Sequence, residues 1–132
     1  YGNSGAGGGL VHIDAPFVNV TMDGTISANG GDGPSTTGAG SGGGIYINCK
    51  GFTGAASGII SAKGGNSLSL IESGTGGGGR IAIFRRPEMD SFPLENYSVA
   101  EGTGGKTTGT VGTLYLGESP LPPAQGVVLG VR

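Results

Sequence analysis

Residues 74–84 read GTGGGGRIAIF, four glycines ahead of an arginine and a short alternating apolar run. Glycine-rich loops cradle phosphates when a helix follows, because its first N–H groups and its dipole converge on the anion. Here a strand-like run follows instead, and the Lys-Ser/Thr pair of a P-loop is missing. Phosphate binding is set aside. Polysaccharide cleavage would need carboxylates gathered on one face as acid and base. Asp14, Asp23, Asp32, Glu72, Glu88, Asp90, Glu95 and Glu101 are scattered and do not recur in step with one another. The single histidine, His12, has no evident partner. GGDG at 30–33 could open a calcium loop, but GGNS stands at the corresponding 64–67. The reading is of a chain that is not an enzyme, with no cofactor and no metal.

Other reactive groups are equally sparse. The one cysteine, Cys49, rules out an intrachain disulfide framework and reads as a small buried hydrophobe. Two N-x-[ST] sequons offer N-glycosylation acceptors at Asn19 and Asn96, the second favoured by its place beside a charged insertion. A net charge of −2 with 12% charged residues argues against nucleic acid as a partner. No apolar run approaches the roughly 18 residues of a membrane-inserted helix. No signal peptide is visible, and the opening YGNSGAGGG starts in mid-pattern, as a processed product or a segment of a longer chain would.

Glycine occupies 32 of 132 positions and proline 7. Glycine inside regular structure costs roughly 0.5–1 kcal/mol relative to alanine, against a net stability of about 5–15 kcal/mol for an ordinary domain. Most of these glycines must therefore sit in turns or at close backbone approaches. An internal repeat shows where. GGG starts at Gly7, at Gly42 and within the run at Gly77, followed by LVHI, IYI and RIAIF, and later by TLYL. Aligning Val11, Ile45, Ile81 and Leu114 gives spacings of 34, 36 and 33 residues. A second element repeats as GTISANGG (24–31) and GIISAKGG (58–65), with a degraded copy at YSVAEGTGG (97–105). Units therefore begin near 7, 42 and 77, with a partial fourth near 110.

Strand side chains alternate between faces. Val11, Ile13, Ile26, Ile45, Ile47, Ile60, Ile81, Ile83, Leu114 and Leu116 are expected inside. His12, Tyr46, Ala82 and Tyr115 form an outward column, in which Tyr46 and Tyr115 are candidate contacts for surface glycans. FVNVTM (17–22), GFTGAAS (51–57) and SLSLIE (67–72) are further strand candidates, and helix periodicity is nearly absent. A unit of this size cannot bury its apolar face alone, whereas stacked units can. The expectation is an all-β fold, a parallel and right-handed β-helix built from units of about 34 residues. Its corners fall at Gly42, Gly43, Gly44, Gly76, Gly77, Gly78 and Gly79, where glycine would supply positive φ and close contact. A flat ice-binding threonine file is not expected, because Thr25 aligns with Ile59.

GAGSGGGIYI (38–47), SGIISAKGG (57–65), GGGGRIAIF (76–84) and VGTLYL (111–116) together resemble glycine-rich repeat regions of large secreted and cell-surface proteins, adhesin- or autotransporter-like. The likeness covers roughly residues 5–117. It implies an extracellular β-helix stalk with no chemistry of its own. Two segments depart from it: the insertion RRPEMDSFPLEN (85–96) and the tail ESPLPPAQGVVLGVR (118–132). The insertion reads as a solvated charged loop. Residues 1–117 are thus the solenoid and 118–132 a Pro-rich linker. Within that tail, Val127, Val128, Leu129 and Val131 are a candidate assembly strand for docking on a neighbour. The expected partners are copies of the chain or adjacent modules, end to end, in a surface filament, appendage or adhesin.

Overall fold

The computed structural model describes residues 3–119. Across them the chain winds as a parallel β-solenoid of about three turns. One wall is a four-stranded sheet of β1 (Leu10–Thr21), β3 (Gly44–Thr53), β5 (Arg80–Arg85) and β7 (Thr113–Glu118), in that spatial order. The second is a smaller sheet of β2 (Thr25–Ser27), β4 (Ile59–Ser61) and β6 (Tyr97–Ser98). Every pairing between these strands is parallel.

The register follows the repeat. Val11 pairs with Ile45, Ile45 with Ile81 and Ile81 with Leu114. On the second wall Ile26 pairs with Ile60, and Ile60 with Tyr97. Alternation then stacks aliphatic side chains in files along the axis. Ile47, Ile60 and Ile83 are 0% exposed and Ile81 1%, each burial contributing up to about 3 kcal/mol relative to exposure. Val11, Ile13, Leu114 and Leu116, in the first and last strands, lie on the same files but are only partly buried.

Glycines close the rest of the coil with backbone alone. Gly40 and Gly43, Gly76 and Gly79, and Gly109 and Gly112 fall three residues apart in successive coils. Their N–H groups bond in two directions. Gly43, Gly79 and Gly112 donate across the coil to Ala28, Ala62 and Val99, each at 2.7 Å. Gly8, Gly42 and Gly78 donate along the axis to Ser41, Gly77 and Thr110, each at 2.8 Å. Segments held this closely on two sides leave no room for Cβ. At Gly42 it would strike the Ala62 carbonyl across the coil, and at Gly76 the Gly40 carbonyl one turn away.

Several expectations change on this structure. Among the described residues, positive φ occurs only at Gly104 and Gly105, outside the expected corners. The glycines of those corners thus answer to close approach rather than to backbone handedness. Two of them are not tightly demanded: Gly44 is the first residue of β3, and a Cβ at Gly77 would meet only ordinary contacts. FVNVTM merges into β1 after a register shift between Ala15 and Asn19, and GFTGAAS enters β3 only as far as Thr53. SLSLIE is not a strand. Ser67, Ser69 and Ser73 hydroxyls hold it as turns, bonding backbone N–H groups at Ser69, Ile71 and Glu72 and each other, which leaves Leu68, Leu70 and Ile71 exposed.

The insertion is not a solvated loop. It forms two 3-10 turns, Pro87–Met89 and Leu94–Asn96, and supplies part of the third coil's wall. Asp90 bridges Phe52 in parallel, and Phe92 packs edge-on between Phe52 (5.2 Å) and Tyr97 (5.1 Å). Arg85 donates through Nε to Asp90 Oδ2 (2.6 Å), and Asp90 Oδ1 accepts from the Phe92 N–H (3.1 Å). The Arg85–Asp90 pair therefore binds the insertion to the sheet, while Glu88 and Glu95 stay exposed. β7 runs on to Glu118, one residue into the segment read as linker. The candidate assembly strand at Val127, Val128, Leu129 and Val131 lies outside the described residues.

Candidate functional site

The outer face of the four-stranded sheet carries a strip of rings. His12, Tyr46 and Tyr115 occupy one row of the register, and Ala82 holds the third place in that row. Phe84, two residues on and facing the same way, fills the gap left by alanine. Ring centroids run His12–Tyr46 4.8 Å, Tyr46–Phe84 5.4 Å and Phe84–Tyr115 5.5 Å. Tyr115 lies across Gly117, where any Cβ would strike its ring. His12 and Tyr115 are exposed, Tyr46 and Phe84 half-buried by their neighbours. Such tilted and edge-on pairs are each worth about 0.5–1.5 kcal/mol beyond area burial. The strip was half legible: alternation along RIAIF puts Phe84 outward as surely as Ala82, but a single-row alignment passes over it.

Polar groups border the strip on both sides. On one side Arg80 and Thr113 are exposed neighbours in register. On the other, Asn48 Nδ2 donates to Asp14 Oδ1 (2.9 Å), and the Ser119 hydroxyl donates to Asn48 Oδ1 (2.8 Å). The arrangement is an apolar track with donors and acceptors along each margin.

A second feature is a groove of about 380 Å³ beside the smaller sheet, lined by Asn29, Asp32, Lys63, Asn66, Glu101 and Thr103. Its side-chain oxygens are largely committed to the fold. Asn29 Oδ1 accepts from the Ser61 hydroxyl (2.6 Å) and the Lys63 N–H (2.7 Å). Asp32 Oδ1 accepts from the Asn66 N–H (2.7 Å), and Asn66 Oδ1 from the Thr103 N–H (2.8 Å). Asp23 does the same for the Ala55 N–H (2.8 Å). Each side chain thus pins the backbone one coil further on. Acidic residues that look scattered as catalysts are in part such staples. The signal was an Asx residue about one repeat before a glycine-flanked N–H, which a search for paired carboxylates does not register. Among the described residues, no three His, Cys, Asp or Glu side chains gather closely enough to hold a metal ion.

The two sequon asparagines differ. Asn19 is exposed on β1. Asn96 is half-buried, and its Nδ2, the atom a glycan would modify, donates to the Ala56 carbonyl at 3.0 Å. The geometry favours Asn19 as the accessible acceptor, the reverse of the preference read from the sequence.

Cys49 is 0% exposed. Burial, then the nearby Asp90 charge, against the opposing Arg85, pushes its thiol from 9.0 to about 11. The Tyr97 phenol is raised by the same causes, burial first. Its hydroxyl is buried without a hydrogen-bond partner among the described residues. Both groups are held neutral, so the folded state keeps protons that the unfolded chain releases. Stability is then complete below pH 9 and falls as pH rises toward 11. Cys49 alone accounts for roughly 2–3 kcal/mol across that window. Urea midpoints measured between pH 7 and 11 should fall steeply above pH 9 and less so in Cys49→Ala. Equal pH dependence in the two proteins would contradict the assignment.

The fold defines a parallel β-solenoid. No family model, curated protein or solved structure matches the chain significantly.

Proposed function

We propose that the chain is an extracellular structural module, the stalk or building block of a surface filament, appendage or adhesin, and that it works by lengthwise stacking rather than by catalysis. The observation that carries this reading is the mismatch between middle and end strands. Ile45, Ile47, Ile81 and Ile83 are buried on files whose end members, Val11, Ile13, Leu114 and Leu116, stay partly open. The outer edges of β1 and β7 have no strand partner among the described residues. An unpaired edge is a template for another strand. If β7 of one copy meets β1 of the next, Leu114 falls on Val11, Leu116 on Ile13 and Tyr115 on His12. The aliphatic files and the ring strip then continue without a change of register.

Such a head-to-tail contact does not close on itself, so it propagates as a filament. The cell-surface setting is supported by the glycine-rich repeat pattern described above. Negative-stain microscopy of the isolated chain should show thin filaments that lengthen with protein concentration. Isolated short particles at every concentration would count against the proposal.

A further inference from the structure

We infer that the ring strip His12–Tyr46–Phe84–Tyr115 is a binding track for a neutral, extended polysaccharide with β-linked pyranose units. This goes beyond the stacking role and stands independently of it. Four rings follow one another at 4.8, 5.4 and 5.5 Å up the sheet. The C–H face of a pyranose ring with equatorial hydroxyls is flat and apolar, and it packs on such a surface. The hydroxyls project from the edge of that ring. They therefore need polar partners beside the track, and the margins supply them: Arg80 and Thr113 on one side, and on the other the exposed Asp14 and half-buried Ser119, held in place by the buried Asn48 that bonds both.

Other occupants fit this face less well. A purely aliphatic partner would strip water from Asp14, Arg80 and Thr113 without replacing their hydrogen bonds. A polyanion would meet the exposed Asp14 carboxylate on one margin, on a chain with net charge −2. A proline-rich peptide also stacks on aromatic grooves, but its face repeats without the hydroxyls that two polar margins would serve. The register that brings the rings together also fixes the track direction, up the sheet across successive strands. Tyr115 is the most accessible anchor, at 54% exposure.

The test is retention of the full chain on insoluble cellulose and chitin, with titration by the soluble oligosaccharides of each. Wild type should be retained on at least one, with little dependence on salt. Tyr46→Ala, Phe84→Ala and Tyr115→Ala should each weaken binding by about 3- to 10-fold. Tyr115→Ala gives up one ring pair, so its urea midpoint should fall only modestly while its circular dichroism spectrum stays that of the wild type, which separates the contact from folding. Thr25→Ala, on the exposed second wall, should bind as wild type. No retention on either polymer overturns the inference, as does retention that survives loss of the rings. Selective binding of a proline-rich peptide or an anionic polymer in place of the neutral glycans would also overturn it.

Discussion

Ile81→Asp should leave no folded protein at 25 °C. Ile81 sits at the middle of its file, 1% exposed, with Ile45 on one side and Leu114 on the other. Aspartate there loses the packing and introduces a charge that no described basic group can reach within the file. An unpaired buried charge costs several kcal/mol after relaxation, and lost burial adds roughly 2–5 kcal/mol. Together these approach the whole stability of an ordinary domain, about 5–15 kcal/mol. Ile81→Val, which keeps shape and polarity, should cost only about 0.5–1.5 kcal/mol. Circular dichroism and urea unfolding of the pair separate the cases. A folded, soluble aspartate variant would mean that this side chain faces outward and that the face assignment is wrong.

Gly76→Ala should be nearly as damaging, although it adds a single methyl group. The new Cβ would strike the Gly40 carbonyl, and neither backbone is free to move. Gly76 donates to Gly65 O (2.9 Å) and accepts from the Gly102 N–H (2.9 Å), while Gly40 donates to Gly31 O (2.9 Å) and accepts from the Gly65 N–H (2.8 Å). Opening the gap breaks bonds in two directions, and each buried group left unsatisfied costs about 1–3 kcal/mol. A loss of more than about 3 kcal/mol is expected on that basis. Gly24 is the internal control, because nothing lies within 4 Å of its added Cβ and its φ is not positive. Gly24→Ala should be neutral or stabilising by about 0.4–1 kcal/mol, through the unfolded chain. Equal effects at the two positions would contradict the side-chain-free packing described for the glycine segments.

These two variants mark what the sequence made legible. Alternation and spacing in LVHI, IYI, IAIF and TLYL identify the aliphatic files, because one buried face forces period two and stacking forces one register. The glycines were legible as a need but not as a mechanism. Their three-residue spacing became meaningful only once the facing segments were known to share hydrogen bonds across the coil. Phe84 was missed because a repeat alignment compares equivalent positions, whereas the ring contact is diagonal. SLSLIE has the composition of a strand, yet its serines satisfy the local backbone more cheaply as turns. The insertion was misjudged because charge suggested solvent. Arg85 and Asp90 bond each other, and Phe92 with Tyr97 fills the core beside Phe52. The polar staples at Asp23, Asn29, Asp32 and Asn66 depend on which N–H lies one coil away, and composition carries no trace of that.

In the proposed filament, the last strand of one copy continues into the first strand of the next in the internal register. Two single-cysteine variants, Leu10→Cys and Thr113→Cys, each made with Cys49→Ala, test it directly when mixed and mildly oxidised. Thr113 follows Arg80 in the row that begins with Leu10 and Gly44, so head-to-tail stacking sets the two new thiols side by side. A disulfide-linked heterodimer is expected in the mixture, with little linkage in either variant alone. Linkage within each variant alone, or none in the mixture at concentrations where the chains associate, would contradict it.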